Sequence, residues 1–175
     1  NLDVSKKIKV SPVDVRDEKK LKEVFIDAEN SGQPIQSVMH FAGLKAVAES
    51  VENPILYWEN NVKGAISLLK VMEQYDCKTI VFSSSATIYG FAQDEKILED
   101  SQISPVNPYG STKVAIENLL NDIFKNKKTD WRIANLRYFN PIGAHPSGLI
   151  GESPIGGANN IFPIILNVAV GENEV

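Results

Sequence analysis

Two rhythms of apolar and polar positions alternate along the chain. Short apolar runs at Ile8–Val15, Ile35–Phe41, Thr79–Ser84 and Trp131–Tyr138 have the length and side-chain type of β-strands. Longer stretches with helical spacing separate them. Asp17 to Asn30 is charged, and Pro54 to Tyr75 is apolar around most of its circumference. Pro108 to Phe124 repeats Ile116, Leu119, Leu120, Ile123 and Phe124, and a last apolar helix is expected from Asn159. Ser31-Gly32-Gln33-Pro34 is turn chemistry, and the Gly/Pro-rich segment 140–158 reads as a loop. Strands alternating with helices predict a parallel sheet of βαβ units, an α/β doubly wound, Rossmann-like fold. The helix at 54–75 should be buried on more than one face, against the sheet and against another helix, one from a second subunit included.

Composition narrows the class. The 175 residues are 43% hydrophobic, ordinary for a globular domain, and the net charge of -4 mixes both signs without a basic run. Nucleic acid is therefore not expected as a partner. No stretch reaches the roughly 20 apolar residues needed to cross a bilayer, so no membrane partner is expected. A single cysteine, Cys77, allows neither an internal disulfide nor a thiolate cluster, and no metal site is expected. A reducing cytoplasm fits best. The chain opens at Asn1 and closes at Val175 without features of true termini, and reads as part of a longer protein.

Asn107 is suited to cap the helix at 108–124, and Pro108 to open it, since its missing N–H would lack a partner there anyway. With about 3.6 residues per turn, Tyr109, Lys113, Ile116 and Leu120 share one narrow stripe. An inward lysine needs a partner, because burial alone drives it toward neutrality. In a doubly wound sheet, ligands bind beyond the carboxyl ends of the strands. Phe41-Ala42-Gly43, Ser83 to Gly90 and Arg137 to Gly148 all follow such ends. A free phenol loses its proton only around pH 10, about three units too high for a neutral base. An ammonium one helical turn away favours the phenolate, as does a cationic nicotinamide ring. Ser85, leaving the neighbouring strand, is placed to bond the same substrate hydroxyl. Ser85, Tyr109 and Lys113 thus suit proton abstraction from an alcohol coupled to hydride departure. Of the five tyrosines, only Tyr109 has a lysine four residues later.

The stretches HFAGLKAVAESVENP, NNVKG, FSSSATIYG, NPYGSTK, LRYFNPIGAHPSGLIGE and NNIFP cover His40 to Gly171 with little interruption, and VDVRD precedes them at 13–17. Together they resemble the extended short-chain dehydrogenase/reductase family, most closely its NAD-dependent epimerase branch. The resemblance implies that Tyr109 is the acid–base catalyst, that Lys113 binds the nicotinamide ribose and favours the phenolate, and that Ser85 bridges the substrate hydroxyl. It implies that Asp14 and Val15 flank the adenine of NAD, that Phe41, Ala42 and Lys45 line the cofactor, and that Asn60 and Tyr138 lie beside it. Phe139, Asn140, Asn160 and Ile161 would contact a UDP-sugar; a helix opening at Asn159-Asn160 would also offer free N–H groups to a pyrophosphate. The implied reaction interconverts UDP-glucose and UDP-galactose by oxidation and reduction at C4 through a 4-keto sugar. A homodimer through helices 54–75 and 108–124 is implied as well. Residues 1–140 would form the NAD-binding portion and 141–175 the start of a substrate-binding portion.

The family's opening G-x-x-G-x-x-G turn, which brings backbone close to the pyrophosphate, does not occur in these residues. The expected sheet is therefore incomplete, lacking the first βαβ unit. The run at 8–15 would have no neighbour, and the strand at 35–41 would carry an open edge. The isolated chain is expected to bind NAD weakly and to show little activity. Two other readings stay open: an epimerase of another UDP-sugar, N-acetylated or uronic, and a non-catalytic protein that binds NAD or a nucleotide sugar. A dehydratase of this family follows the hydroxyl residue with an Asp-Glu pair; Ala86 and Thr87 stand there instead. His40 is as readily a satisfied core histidine as a functional one. His145 is expected to shape its Pro/Gly loop, Cys77 to pack, and Tyr57 and Trp58 to pack or to contact a second subunit.

Overall fold

A computed structural model of the protein describes residues 8–91, 96–126, 129–149 and 161–171. The chain divides into two compact units, 1–137 and 138–175.

In the first unit, the Asp17 carboxylate accepts a hydrogen bond from the Lys20 N–H and so caps α1 (Glu18–Asn30), whose buried residue is Phe25. β1 (Val38–His40) follows, then α2 (Val47–Glu52). A continuous helical run comes next: α3 (Pro54–Tyr57), a π-helical turn at Trp58–Lys63, and α4 (Gly64–Gln74). β2 (Thr79–Ser85) passes into a 3-10 turn at Ala86–Tyr89, and α5 (Pro108–Lys125) precedes β3 (Arg132–Tyr138). The three parallel strands make one sheet in the order β1-β2-β3, with Val38, Met39 and His40 in register with Ile80, Val81 and Phe82. Right-handed parallel crossovers require helices between the strands, and α4 and α5 fill those places.

Alternate residues of β2 decide where the core sits. Ile80, Phe82 and Ser84 are buried, while the residues between them are half-buried. Ile80 and Phe82 share a core with Phe25 of α1, Leu68, Leu69 and Met72 of α4, and Ile116 and Leu120 of α5. Each such side chain contributes about 1.5–3 kcal/mol on leaving water. That shared burial gathers the three helices on one face. Met39, on the opposite pleat, is 63% exposed.

The structure corrects two local expectations. Ile8–Val15 forms no strand: Ile8 and Val10 stand mostly in solvent, and among the described residues no strand runs beside them to complete a ladder. β1 is three residues long rather than spanning Ile35–Phe41, because only Val38 to His40 lie opposite partners on β2, and it forms one edge of the described sheet. The helical run from Pro54 is buried on more than one face, as expected: Leu68, Leu69, Val71 and Met72 of α4 share the core with Ile80 and Phe82 of the sheet and Phe25 of α1, while Ile55, Leu56, Trp58 and Ile66 remain exposed. α2 was not anticipated, since six residues are too few to display a helical period.

The second unit contains the end of β3, the loop that follows, and α6 (Ile161–Ala169), in which Pro163 is buried. In the loop, His145 Nδ1 accepts from the Ser147 N–H and shares a hydrogen bond with Ser147 Oγ at 2.8 Å, the loop-shaping role expected of it. Asn159, where the last helix was expected to start, lies outside the described residues.

Gly90 closes the 3-10 turn at φ +63°, and a Cβ there would sit 2.0 Å from the Ser104 carbonyl oxygen; Gly32 has φ +71° with open space around it. Gly90→Ala is therefore expected to destabilise by about 2–4 kcal/mol. Gly32→Ala should cost about 1 kcal/mol. Urea midpoints of the two variants check the difference.

Candidate active site

The site is built around the first turns of α5. Asn107 Oδ1 accepts the Gly110 N–H at 2.8 Å, and Pro108 takes the first helical position. The cap fixes where Tyr109 leaves the helix. Gly110 lies so near the 3-10 turn that a Cβ would meet the Thr87 carbonyl oxygen at 3.0 Å, which brings Tyr109 beside the end of β2.

Lys113 is 5% exposed, and its Nζ donates to the Ser83 carbonyl at 2.7 Å. The same atom stands 4.9 Å from the Phe82 ring centroid and 5.6 Å from that of Tyr109. Burial lowers its pKa to about 8. An ammonium has three donors, and a single carbonyl occupies one of them. The Tyr57 ring meets Tyr109 edge-on at 6.5 Å, and its hydroxyl lies 2.8 Å from the Ala46 carbonyl and 2.7 Å from Glu49 Oε2. Burial first, then the Glu49 carboxylate, pushes Tyr57 up to about 12, so it stays a neutral phenol.

Ser85 ends β2. Its Oγ accepts the Thr87 N–H at 3.2 Å and shares a hydrogen bond with Thr87 Oγ1 at 2.7 Å. His40 ends β1 in register with Phe82 and is buried, and its Nε2 has no hydrogen-bond partner among the described residues. Burial chiefly, and the Lys113 charge second, lower it to about 4. The imidazole is thus neutral at physiological pH and adds no second cation beside Lys113.

The loop after β1 carries Phe41, Ala42 and Lys45, all exposed. Asn61, buried in the π-helical turn, pins that loop: its Oδ1 accepts the Leu44 N–H, and its Nδ2 donates to the Leu44 carbonyl and to Thr112 Oγ1. Asn60 instead turns its Nδ2 back to the Leu56 carbonyl at 2.9 Å. The exposed Asp14 carboxylate is held by Arg16, whose hydrogen bonds lower it to about 2. Val15 packs against α4, where a Cβ on Gly64 would lie 2.7 Å from its Cγ1.

The structure brings Ser85, Tyr109 and Lys113 to one end of the sheet in the first unit, the same end at which Phe41 and Ala42 leave β1. In the second unit, Tyr138 ends β3, Phe139 and Asn140 follow it, and Ile161 opens α6, each exposed. Asn160 lies outside the described residues. The sequence reading passed over one buried ion pair. Glu117, four residues beyond Lys113, accepts Arg137 Nη2 at 2.8 Å and Nε at 3.1 and 3.2 Å, and it accepts the Ser84 hydroxyl as well. Arg137 Nη1 also donates to Tyr89 Oη at 2.7 Å and to the Glu99 carbonyl at 2.6 Å. A carboxylate on the lysine stripe was the available signal.

A parallel sheet with helices on the core face, carrying a serine, a tyrosine and a buried lysine at its carboxyl end, defines a Rossmann-like fold. The chain belongs to the family described as GDP-mannose 4,6 dehydratase, whose model matches residues 1–175. It is 51% identical over 159 residues to UDP-glucose 4-epimerase 2 of Arabidopsis thaliana, covering 91% of this chain and 44% of that protein. It is 52% identical over 173 residues to the bifunctional protein GAL10 of Pachysolen tannophilus, covering 97% of this chain and 24% of that one. Among solved structures it is similar to the UDP-glucose 4-epimerase from Bifidobacterium longum in complex with NAD+ and UDP, with a TM-score of 0.81 and 45% identity, covering 94% of this chain and 48% of that one. The chain thus spans about half, or less, of the length of the relatives it matches. The likeness to UDP-glucose 4-epimerases read from the motifs holds.

Lys113 carries a cost that its substitution removes. Its pKa falls from 10.5 in the unfolded chain to about 8 when folded, so between those values the unfolded state binds more protons and stability rises with pH. Lys113→Met should therefore stabilise the fold near neutrality by about 1–3 kcal/mol. The gap to the wild type should close as pH rises through that window. Denaturant midpoints across the pH range check the sign.

Proposed function

We propose that these residues are the dyad-bearing part of a UDP-glucose 4-epimerase, an isomerase that uses NAD to interconvert UDP-glucose and UDP-galactose. The observation that carries the reading is a buried lysine facing the ring of a tyrosine one turn earlier on α5. Nothing in α/β packing asks for a cation there.

The residues fit the cofactor. Lys113 has donors beyond the one that Ser83 engages, suited to ribose hydroxyls, and the pinned loop at 41–45 presents Phe41, Ala42 and Lys45 outward. NAD, when bound, supplies hydride acceptance and return at the sugar's C4. The chain's own work is with the proton. Tyr109 takes the proton of the C4 hydroxyl and later gives it back, Lys113 stabilises the phenolate in between, and Ser85 holds the same oxygen. Asp14 and Val15 are assigned to the adenine side, and Asn60 and Tyr138 to the cofactor's flank. Phe139, Asn140, Asn160 and Ile161 are assigned to the UDP-sugar. Residues 1–140 would form the NAD-binding portion and 141–175 would begin the substrate-binding portion.

Ala86 and Thr87, in place of an acidic pair, favour epimerisation over the dehydration that the family's description carries. Tyr109→Phe in the full-length enzyme is expected to lower turnover by about 10²–10⁴-fold while NAD and UDP-galactose still bind. Unchanged turnover would leave only a binding role.

The relevant form is a homodimer, with a cytoplasmic setting. Among the described residues no helix is long and apolar enough to cross a membrane. Ile55, Leu56, Trp58 and Ile66 leave an apolar strip along the helical run from Pro54, and Phe124 leaves another on α5. Ile55→Glu should shift the full-length enzyme from dimer to monomer in sedimentation velocity; an unchanged dimer would place the interface elsewhere.

A further inference from the structure

Lys113 and Glu117 stand four residues apart on α5, the spacing at which a lysine and a glutamate meet on a helix surface. Both are buried, 5% and 6% exposed, yet among the described residues they form no ion pair. Glu117 is occupied elsewhere. Arg137 reaches it from β3 with Nε and Nη2 in a two-pronged contact, and Ser84 donates from β2. Tyr89 and the Glu99 carbonyl hold the far side of the guanidinium, so its fork cannot swing away. Lys113 is left with the Ser83 carbonyl and the rings of Phe82 and Tyr109.

We propose that Arg137 is a positioning residue for the Tyr109–Lys113 dyad: by occupying Glu117 it keeps that carboxylate off Lys113, so the ammonium stays uncompensated and faces Tyr109. The inference rests on the dyad reading given above. Its physical basis is competition for one buried anion. A carboxylate stripped of its arginine in a low-dielectric core pairs with the nearest cation rather than stay alone, and the nearest is one turn away. Paired with Glu117, Lys113 would turn away from Tyr109 and lose the charge that favours the phenolate. The other groups around the dyad offer no substitute. His40 on β1 is neutral near physiological pH. Tyr57 on α3 is a phenol bonded to Glu49 of α2, and Tyr89 of the 3-10 turn contacts Arg137. β2 presents hydroxyls and a carbonyl there.

The test uses the full-length, NAD-loaded enzyme. Arg137→Met should move the low-pH limb of the kcat profile upward by about one unit, a tenfold loss near neutrality, with KM little changed. The double variant E117Q/R137M removes the competing carboxylate and should return the limb to its wild-type position. An unmoved limb in Arg137→Met overturns the proposal, and so does a double variant that stays as shifted as the single one, since a purely structural role gives no such rescue. A measurement without substitution guards against misfolding. Lysine NMR on isotope-labelled wild type should show Lys113 titrating near 8, the value for an uncompensated buried ammonium. A titration above the ordinary lysine range would mean Glu117 already neutralises it, which also overturns the proposal. Lys113→Met in the same profile separates the two ideas: an unmoved limb there sinks the dyad reading itself, whatever Arg137 does.

Discussion

The Lys113 ammonium lies 2.7 Å from the Ser83 carbonyl and is almost wholly out of water, and its burial lowers its proton affinity with no acidic partner among the described residues to restore it. Folding tolerates this only because the rest of the first unit is arranged around it. Phe82 and Tyr109 offer ring faces within cation–π range, and the Ser83 carbonyl gives one strong acceptor. The shared core of α1, α4, α5 and β2 supplies the stability that offsets the desolvated charge. Stability is given up at the point where the proposed chemistry would use a cation.

The surrounding contacts limit how that charge can be used. Asn61 fixes the loop after β1 to α5 through Leu44 and Thr112, so the outward residues Phe41, Ala42 and Lys45 sit on a pinned backbone. Thr87 holds the Ser85 hydroxyl from two directions, N–H and Oγ1. His40 and Tyr57 near Lys113 and Tyr109 are both neutral at physiological pH. Around Tyr109, Ser85, Tyr57 and Lys113 each have a hydrogen-bond partner, and His40 stays neutral. This is also why the family description and the dyad can be read together. The sheet and its helices are shared by enzymes of several chemistries, whereas the proposed preference for epimerisation over dehydration rests on Ala86 and Thr87, which follow Ser85 where a dehydratase has an acidic pair.

Much of this was legible in the residues themselves. The cap at Asn107, the proline at the first helical position and the stripe of Tyr109, Lys113, Ile116 and Leu120 follow from local preference and helical period, and the helix forms over Pro108–Lys125. β2 was legible because Ile80, Val81 and Phe82 form one short apolar run. The run at 8–15 was misread as a strand and the one at 35–41 was misjudged in extent, because an apolar segment becomes a strand only where another strand offers hydrogen bonds along its edge. No local pattern reports the neighbour.

The sequence by itself determined the order of elements, the face of α5 that turns inward and the presence of a tyrosine, a lysine and a serine suited to alcohol chemistry, since each depends on spacing along one stretch of chain. Only the tertiary structure decided which charges meet. Glu117 is one turn from Lys113 in the chain yet bonds to Arg137, twenty residues away on another element. Lys113 finds its partner at Ser83, thirty residues away on β2. Pairing inside a core is set by which groups the packing excludes from water together, and that is a property of three elements brought side by side.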